Sequence, residues 1–316
     1  MEKRRLGGFG GVCPAYSAFR QRGLAGKDEN MPPTVSQTLR SATAALAAIS
    51  DTARLDAELL MAHALGVSRS GLLLQQADLA VPARFAGLLA RRIGHEPVAY
   101  ITGCQDFWDL TLAVTPDVLI PRGDSETLIE TAIDAFAGRD GPGRVLDLGT
   151  GSGALLLAAL SAFPAATGVG VDASERALAV AERNTQALGF GQRALFQRAN
   201  WRGENWADGL GEFDLILCNP PYVEESAELA PMVAAHEPHS ALYAGSDGLG
   251  DYRIVIPAIP ALLAPHGIAV FEIGFTQADA VSDLASKAGL STEMRRDLSG
   301  NPRCLRFSLG IISGNG

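Results

Sequence analysis

From Gly143 onward the chain alternates short apolar runs with segments of helical period, and this alternation restricts the fold more than any other feature. "RVLDLG" reads as a buried strand and "ALLLAALSAF" as a helix; "TGVGVD" is a second strand and "SERALAVAERNTQALG" a long helix. "RALFQRA" is a third strand, "FDLILCN" a fourth and "IAVFEIG" a fifth. The helix "TQADAVSDLASKAG" follows, then paired final strands in "STEMRRDL" and "CLRFSLG". Strands joined through helices by short connections run parallel, because each crossover returns the chain to the same end of the sheet. The expected fold class is therefore α/β, a mostly parallel sheet with helices on both faces. Ligands of such sheets sit at the carboxyl ends of the strands near the switch point, so the residues there carry the chemistry.

Ahead of the sheet, residues from about Ser36 to Gly94 have helical period. Leu39, Ala42, Leu46 and Ile49 form one stripe, and Leu55, Leu59, Ala62 and Leu65 another, with Gly66 as a C-terminal stop. "PARFAGLLARRIG" repeats the pattern, with Pro82 in a helix's first turn. These stripes predict a small N-terminal helical bundle. A hairpin is expected around Phe107–Trp108 and Leu112–Val114, and a helix from Ser125 to Phe136. The first thirty residues are Gly-rich, carry a small basic excess and lack the apolar core of a secretory signal. The expected organisation is a disordered leader over 1–33, a helical domain over 34–98, a hairpin linker over 99–122 and the α/β domain over 123–316. Helical pattern starts directly after Met31, which is the expected natural start.

A formal net charge of -9 argues against a broad polyanion-binding surface, so no direct nucleic-acid contact is expected. The four cysteines, Cys13, Cys104, Cys218 and Cys304, are far apart with no CxxC pair, which suits reduced thiols in the cytoplasm rather than a zinc site or a disulfide framework. His236 and His239 fall in "HEPH", where Pro238 breaks any helix that would align them, so a polar loop is expected and no metal. No apolar run reaches the roughly 18 residues that a membrane span needs. A monomer is expected.

"VLDLGTGSGALLL" places Asp147, Gly149, Thr150, Gly151, Ser152 and Gly153 where the first strand turns into a helix. Glycines there let backbone approach a ligand closely. The spacing is GxGxG behind an Asp, not the dinucleotide GxGxxG. The second strand ends in Asp172, an acid suited to ribose hydroxyls in both NAD and S-adenosylmethionine (SAM) sites. Ser174 is the better helix cap, which leaves Asp172 available. The third strand ends in "RANWRG", where Asn200 can meet an adenine edge and Trp201 the face of the ring.

The fourth strand ends in "NPPY". Asn219 and Pro220 each precede a proline and are pushed toward extended backbone, and neither Pro220 nor Pro221 has an N–H to donate. The Pro220 carbonyl and the Asn219 side-chain oxygen can therefore point at one small volume. A planar NH2 has two donors at a matching angle, and Tyr222 can pack on the group that bears it. An amide or aromatic amino nitrogen is a poor nucleophile; two acceptors on its protons stabilise the positive charge that develops as it attacks. A sulfonium would supply the electrophilic carbon, with alignment as the main catalytic device.

With these residues assembled, the chain resembles the class I SAM-dependent methyltransferases, and among them the peptide chain release factor glutamine-N5 methyltransferases (HemK/PrmC type). The resemblance covers about residues 34–310 and rests on "EPVAYITG", "FWDL", "VLIPRGDSETLIE", "LDLGTGSGA", "NPPYV", "HEP…AL", "DGLGDYR" and "RDLSGNPR" in the family's order. It implies a Rossmann-like domain and methylation of the side-chain amide of the GGQ glutamine in class 1 release factors. It further implies SAM contacts from Gly149 to Gly153, Asp172, Trp201 and Asn219, and a glutamine held by Asn219 to Tyr222; Asp147 and Asn200 are expected to join the cofactor site. Arg122 and Glu126 match the family's segment beside the site, Glu272 sits at the next strand end, and the helical domain matches the part that grips the release factor. The family segment Pro-Arg-Pro-Asp-Thr-Glu reads "PRGDSE" here, so Gly123 is expected to loosen that turn, and Asn200 replaces an Asp while keeping an accepting oxygen. Other readings are an adenine-N6 or guanine-N2 nucleic-acid methyltransferase, a nucleotide-binding oxidoreductase, and a non-catalytic protein that kept the fold.

Overall fold

The computed structural model describes residues 33–75 and 79–310. The leader expected over 1–33, with its Met31 start, lies outside them but for Pro33. Helix α1 (Val35–Leu46) opens on Thr34, which trades hydrogen bonds with Gln37: each side chain accepts from the other's backbone N–H. Helices α2 (Ala53–Leu65), α3 (Arg69–Gln75), α4 (Phe85–Ile93) and α5 (Val98–Thr102) follow. Gly66 ends α2 at φ 73, the left-handed conformation its position predicts. Pro82 lies ahead of α4, its carbonyl accepting from the Phe85 N–H at 3.0 Å.

The stripe expected on α2 is only partly its buried face: Ala62 is buried and Leu59 and Leu65 are half-buried. Leu55 is 38% exposed, whereas Ala53, Ala57, Leu60, Met61 and Ala64 are buried. Small alanines let α2 lie close to its neighbours, and the same face carries Asp56, which has neutralising company. Its carboxylate accepts from Arg92 at 2.8 Å, Ser50 at 2.8 Å and Thr52 at 3.0 Å. A paired, fully bonded acid can be buried where a lone one could not.

Strands β1 (Cys104–Phe107) and β2 (Leu110–Ala113) form the expected hairpin. A 3-10 turn over Gly123–Ser125 then leads into α6 (Glu126–Ala135), close to the expected helix. The main sheet and its helices follow as β3 (Arg144–Leu148), α7 (Ala154–Ala162), β4 (Thr167–Asp172), α8 (Glu175–Ala187), β5 (Ala194–Arg198) and β6 (Phe213–Cys218). After them come α9 (Pro231–His236), α10 (Gly250–Val255), α11 (Ile259–Leu262), β7 (Leu263–Glu272), α12 (Ala278–Lys287), β8 (Leu290–Arg296) and β9 (Pro302–Leu309).

The seven strands lie in the order β5-β4-β3-β6-β7-β9-β8. The first five are parallel, and β9 runs antiparallel to both β7 and β8. Both faces are covered, as the continuous apolar runs require. Val145, Leu215, Leu217, Ile268 and Val270 pack with α6, α7 and the hairpin, while Leu146, Leu148, Ile216, Cys218, Ala269 and Phe271 pack with α10, α11 and α12. This is the α/β architecture expected from the strand–helix alternation.

Register then builds a row. Leu148 lies opposite both Val171 and Cys218, and Cys218 opposite Phe271. The next residues, Gly149, Asp172, Asn219 and Glu272, therefore stand side by side at the carboxyl ends of adjacent strands. Strand order reverses between β3 and β6, so this row straddles the switch point. The chain forms two units: the described residues to Cys104 with Pro231–His236, and Gln105–Ala230 with those from Glu237 onward. Among the described residues no helix is long and apolar enough to cross a membrane.

Candidate active site

The turn from β3 into α7 needs its glycines. Gly149, Gly151 and Gly153 have φ of 73°, 55° and 82°, the left-handed region that side chains disfavour. At Gly149 space is limiting as well, since a Cβ would come within 2.9 Å of the Trp201 ring. Gly151 instead faces open space, the nearest atom to such a Cβ being the Gly149 carbonyl at 4.0 Å. Asn184 of α8 braces the turn, donating to the Ser152 carbonyl at 2.8 Å while clasping both backbone groups of Ala113 in β2.

Asp147 lies beneath this turn, 1% exposed. Its Oδ2 accepts from Thr150 Oγ1 at 2.6 Å and from the Leu156 N–H at 3.2 Å, whereas its Oδ1 is buried without a partner. Burial is the main reason its pKa is pushed up to about 7, with the nearby Asp172 adding to the rise. Asp172 accepts from the Gly151 N–H at 2.9 Å and from the Ser174 N–H at 2.8 Å. Burial raises its pKa too, against the pull of those backbone bonds. Ser174 caps α8, accepting from the Ala177 N–H, as expected. Asp172 is thus not idle: both of its oxygens already take backbone N–H groups, and they keep lone pairs for a further donor.

Trp201 is held at its nitrogen. Its Nε1 donates to Asp251 Oδ1 at 2.7 Å, and Arg202 pairs with the same fully buried carboxylate at 2.8 Å. The ring lies against Gly149. Asn200 is exposed, and its Oδ1 accepts from the Arg202 N–H at 3.0 Å, so the oxygen expected to face a ligand closes a local turn. Asp251 had no assigned role in the sequence, although it stands in "DGLGDYR"; its distance of 50 residues from Trp201 gave no spacing signal.

At the end of β6, Pro220 and Pro221 are buried and Asn219 and Tyr222 half-buried. No donor among the described residues bonds the Pro220 carbonyl or Asn219 Oδ1. Asn219 Nδ2 donates to Ser125 Oγ at 3.4 Å, Ser125 Oγ donates to Glu272 Oε2 at 2.5 Å, and Tyr222 Oη donates to Glu272 Oε1 at 3.2 Å. Burial pushes the pKa of Glu272 up, opposed by the Ser125 bond and by Arg303. Burial and the Glu272 charge raise that of Tyr222, which keeps its proton. A cavity of about 110 Å³ is lined by Asn219, Tyr222, Glu272, Arg122, Leu119 and Leu242, with Val223 and Ala241. A larger hollow of about 590 Å³ on α8 and β5 shares no lining residue with it and lacks the row of strand-end groups.

Arg122 reaches the fully buried Glu237 at 2.5 Å. Glu126 accepts from the Trp108 N–H at 2.9 Å through Oε1 and fixes the hairpin, while Ser125 meets Asn219. The turn at Gly123, where loosening is expected, carries several contacts. The Ser125 N–H donates to the Arg122 carbonyl at 3.1 Å, Asp124 pairs with Arg303 at 3.2 Å, and Ser125 is anchored on Glu272. These bonds hold Asp124 and Ser125, whereas a Cβ at Gly123 would meet nothing within 4 Å.

Residues 37–103 match the family model described as the PrmC N-terminal domain, and residues 125–240 the one described as the methyltransferase small domain. The release factor glutamine methyltransferase of Rhodospirillum rubrum is 45% identical over 258 residues, spanning 80% of this chain and 78% of that protein. The one of Bradyrhizobium diazoefficiens is 39% identical over 287 residues, spanning 86% and 95%. The chain belongs to the release factor glutamine methyltransferase family. Family membership agrees with the resemblance drawn from the motifs, and it extends over the helical region as well as the sheet. Among solved structures, the hMettl16 catalytic domain in complex with the MAT2A 3'UTR hairpin 6 superposes with a TM-score of 0.51 at 12% identity, over 64% of this chain and 76% of that one. At that identity the likeness is one of fold alone.

Proposed function

We propose that this protein transfers the methyl group of SAM to the side-chain amide nitrogen of the GGQ glutamine in class 1 release factors. One observation carries the reading: Asn219 Oδ1 and the Pro220 carbonyl are two acceptors without partners among the described residues, at the switch point of a family member. The residues around the glycine turn fit SAM. Asp147 Oδ1 is a buried acceptor lacking a donor, Gly151 opens a cradle that a side chain would enter, and Asp172 keeps lone pairs for hydroxyls. Asp147, Gly149 to Gly153, Asp172, Trp201 and Asn219 would hold it; Asn200 would line the rim. When bound, SAM supplies an electrophilic methyl carbon on a sulfonium.

The chain's own residues do the rest. Asn219 Oδ1 and the Pro220 carbonyl take the two N–H groups of the carboxamide, turn its nitrogen toward the donor and stabilise the positive charge that grows on it. Pro220 stiffens the backbone between them and Pro221 the backbone that follows, and Tyr222 packs on the amide plane. The methylated, transiently cationic nitrogen sheds a proton to water, so no protein base is required. Arg122, fixed by Glu237, lines the approach of the substrate backbone. The helical domain would grip the release factor, in the cytoplasm and as a monomer, without nucleic acid. Labelled SAM should methylate a purified class 1 release factor and not the factor with its GGQ glutamine replaced. Labelling of tRNA, rRNA or DNA in place of that factor would favour an amino-base methyltransferase and overturn the assignment.

A further inference from the structure

We infer that Ser125 and Glu272 are positioning residues that set the sense of the Asn219 amide, so that its oxygen and not its NH2 faces the substrate. The inference rests on the proposed amide methylation. An asparagine side chain can turn either way, and the two senses present opposite polarity. With NH2 toward the substrate, two donors would oppose each other and transfer would stall. Something must choose. Among the described residues Asn219 has one side-chain partner, Ser125 Oγ, so that hydroxyl decides.

Ser125 is itself committed. Glu272 at the end of β7 is 2% exposed, and Ser125 is 4% exposed. Ser125 Oγ donates to Glu272 Oε2 at 2.5 Å, and this bond, the Tyr222 hydroxyl and the nearby Arg303 all favour the carboxylate form that accepts it. With its proton given to Glu272, Ser125 Oγ can only accept from Asn219, whose Nδ2 lies 3.4 Å away. The polarity therefore runs from the anion through the hydroxyl to the amide, with Oδ1 left pointing away from Ser125. The same carboxylate takes the Tyr222 hydroxyl on Oε1, and the Glu272 main-chain carbonyl accepts from Tyr252 at 2.8 Å, so the anion is fixed while it orients both ends of the tetrapeptide. A hydrogen-bond chain ending on an anion also polarises its members. Asn219 Oδ1 becomes a better acceptor for an N–H that gains positive charge.

Shape-matched variants separate this role from packing. Ser125→Thr keeps the hydroxyl, whereas Ser125→Val has the same bulk without it. Release factor methylation should proceed within a few-fold of wild type in Ser125→Thr, and kcat should fall about 10- to 100-fold in Ser125→Val and Ser125→Ala, with KM for SAM little changed. Glu272→Gln should fall likewise, because its amide can present a donor to Ser125 and reverse the chain. Equal kcat in Ser125→Thr and Ser125→Val, or wild-type kcat in a folded Ser125→Ala, would overturn the inference. Should Ser125→Val not fold, Ser125→Ala and Glu272→Gln decide on the same split of kcat against KM. A wild-type protein that leaves the release factor unmethylated would sink the proposed function instead, which keeps the two failures distinct.

Discussion

Replacing Asp147 by Asn should make the free protein more resistant to unfolding at alkaline pH, even though it damages the site. The Asp147 carboxyl is 1% exposed and has one oxygen without a partner. Its pKa is raised from 3.8 to about 7 in the fold. The raised value means that the native state holds a proton which the unfolded chain has released. Stability is therefore fullest below pH 3.8, falls as pH rises toward about 7, and is flat above. At 1.36 kcal/mol per pH unit the whole displacement is about 4 kcal/mol, of which about 2–3 kcal/mol is lost between pH 5 and pH 8. Asn at 147 abolishes that slope. Its own unpaired NH2 costs about 1–3 kcal/mol, but equally at every pH. The measurement is the melting temperature of both proteins at pH 5 and pH 8. The Asn variant should gain on wild type by about 5–10 °C between the two, taking 2–4 °C per kcal/mol for a unit of this size. A difference that stays constant with pH, or that grows toward acid, would refute the reasoning.

Other consequences are narrower. Asn219→Ala should lower turnover on the release factor by about a hundredfold or more, as loss of a positioned charge-stabilising group does; near-normal turnover in steady-state assays would remove its role. Gly153→Ala places a side chain at φ 82 with its Cβ 3.3 Å from Ala181. It should cost about 1–2 kcal/mol, read as a lower melting temperature. In the helical unit, Arg92→Met strands the buried Asp56 and should destabilise by about 3 kcal/mol. Adding Asp56→Leu should recover part of that loss in urea titrations, whereas an additive pair would deny the coupling.

The sheet was legible because parallel strands covered on both faces must be apolar runs of fixed length, and "FDLILC" or "VLDL" admits little else. The row Gly149, Asp172, Asn219 and Glu272 was legible for the same reason, since each ends such a run. Partners across elements were not. Trp201 and Asp251, or Ser125 and Glu272 at 147 residues apart, share no period that a sequence displays. Helix faces were misjudged where hydrophobicity and packing diverge: Leu55 is greasier than Ala57, yet close approach of α2 to its neighbours favours the small residue, and Asp56 follows it inward. Asn200 had a local signal, because Asn two residues ahead of a free N–H readily closes a turn on itself.

The central claim is that two acceptors, one from a side chain and one from a proline carbonyl, grip both protons of a glutamine amide. The direct measurement is a crystal structure of the protein with a GGQ-containing peptide and the demethylated cofactor product. The amide nitrogen is expected within hydrogen-bonding distance of both Asn219 Oδ1 and the Pro220 carbonyl. A nitrogen bound by other groups, with Asn219 turned so that its NH2 faces the peptide, would contradict the account.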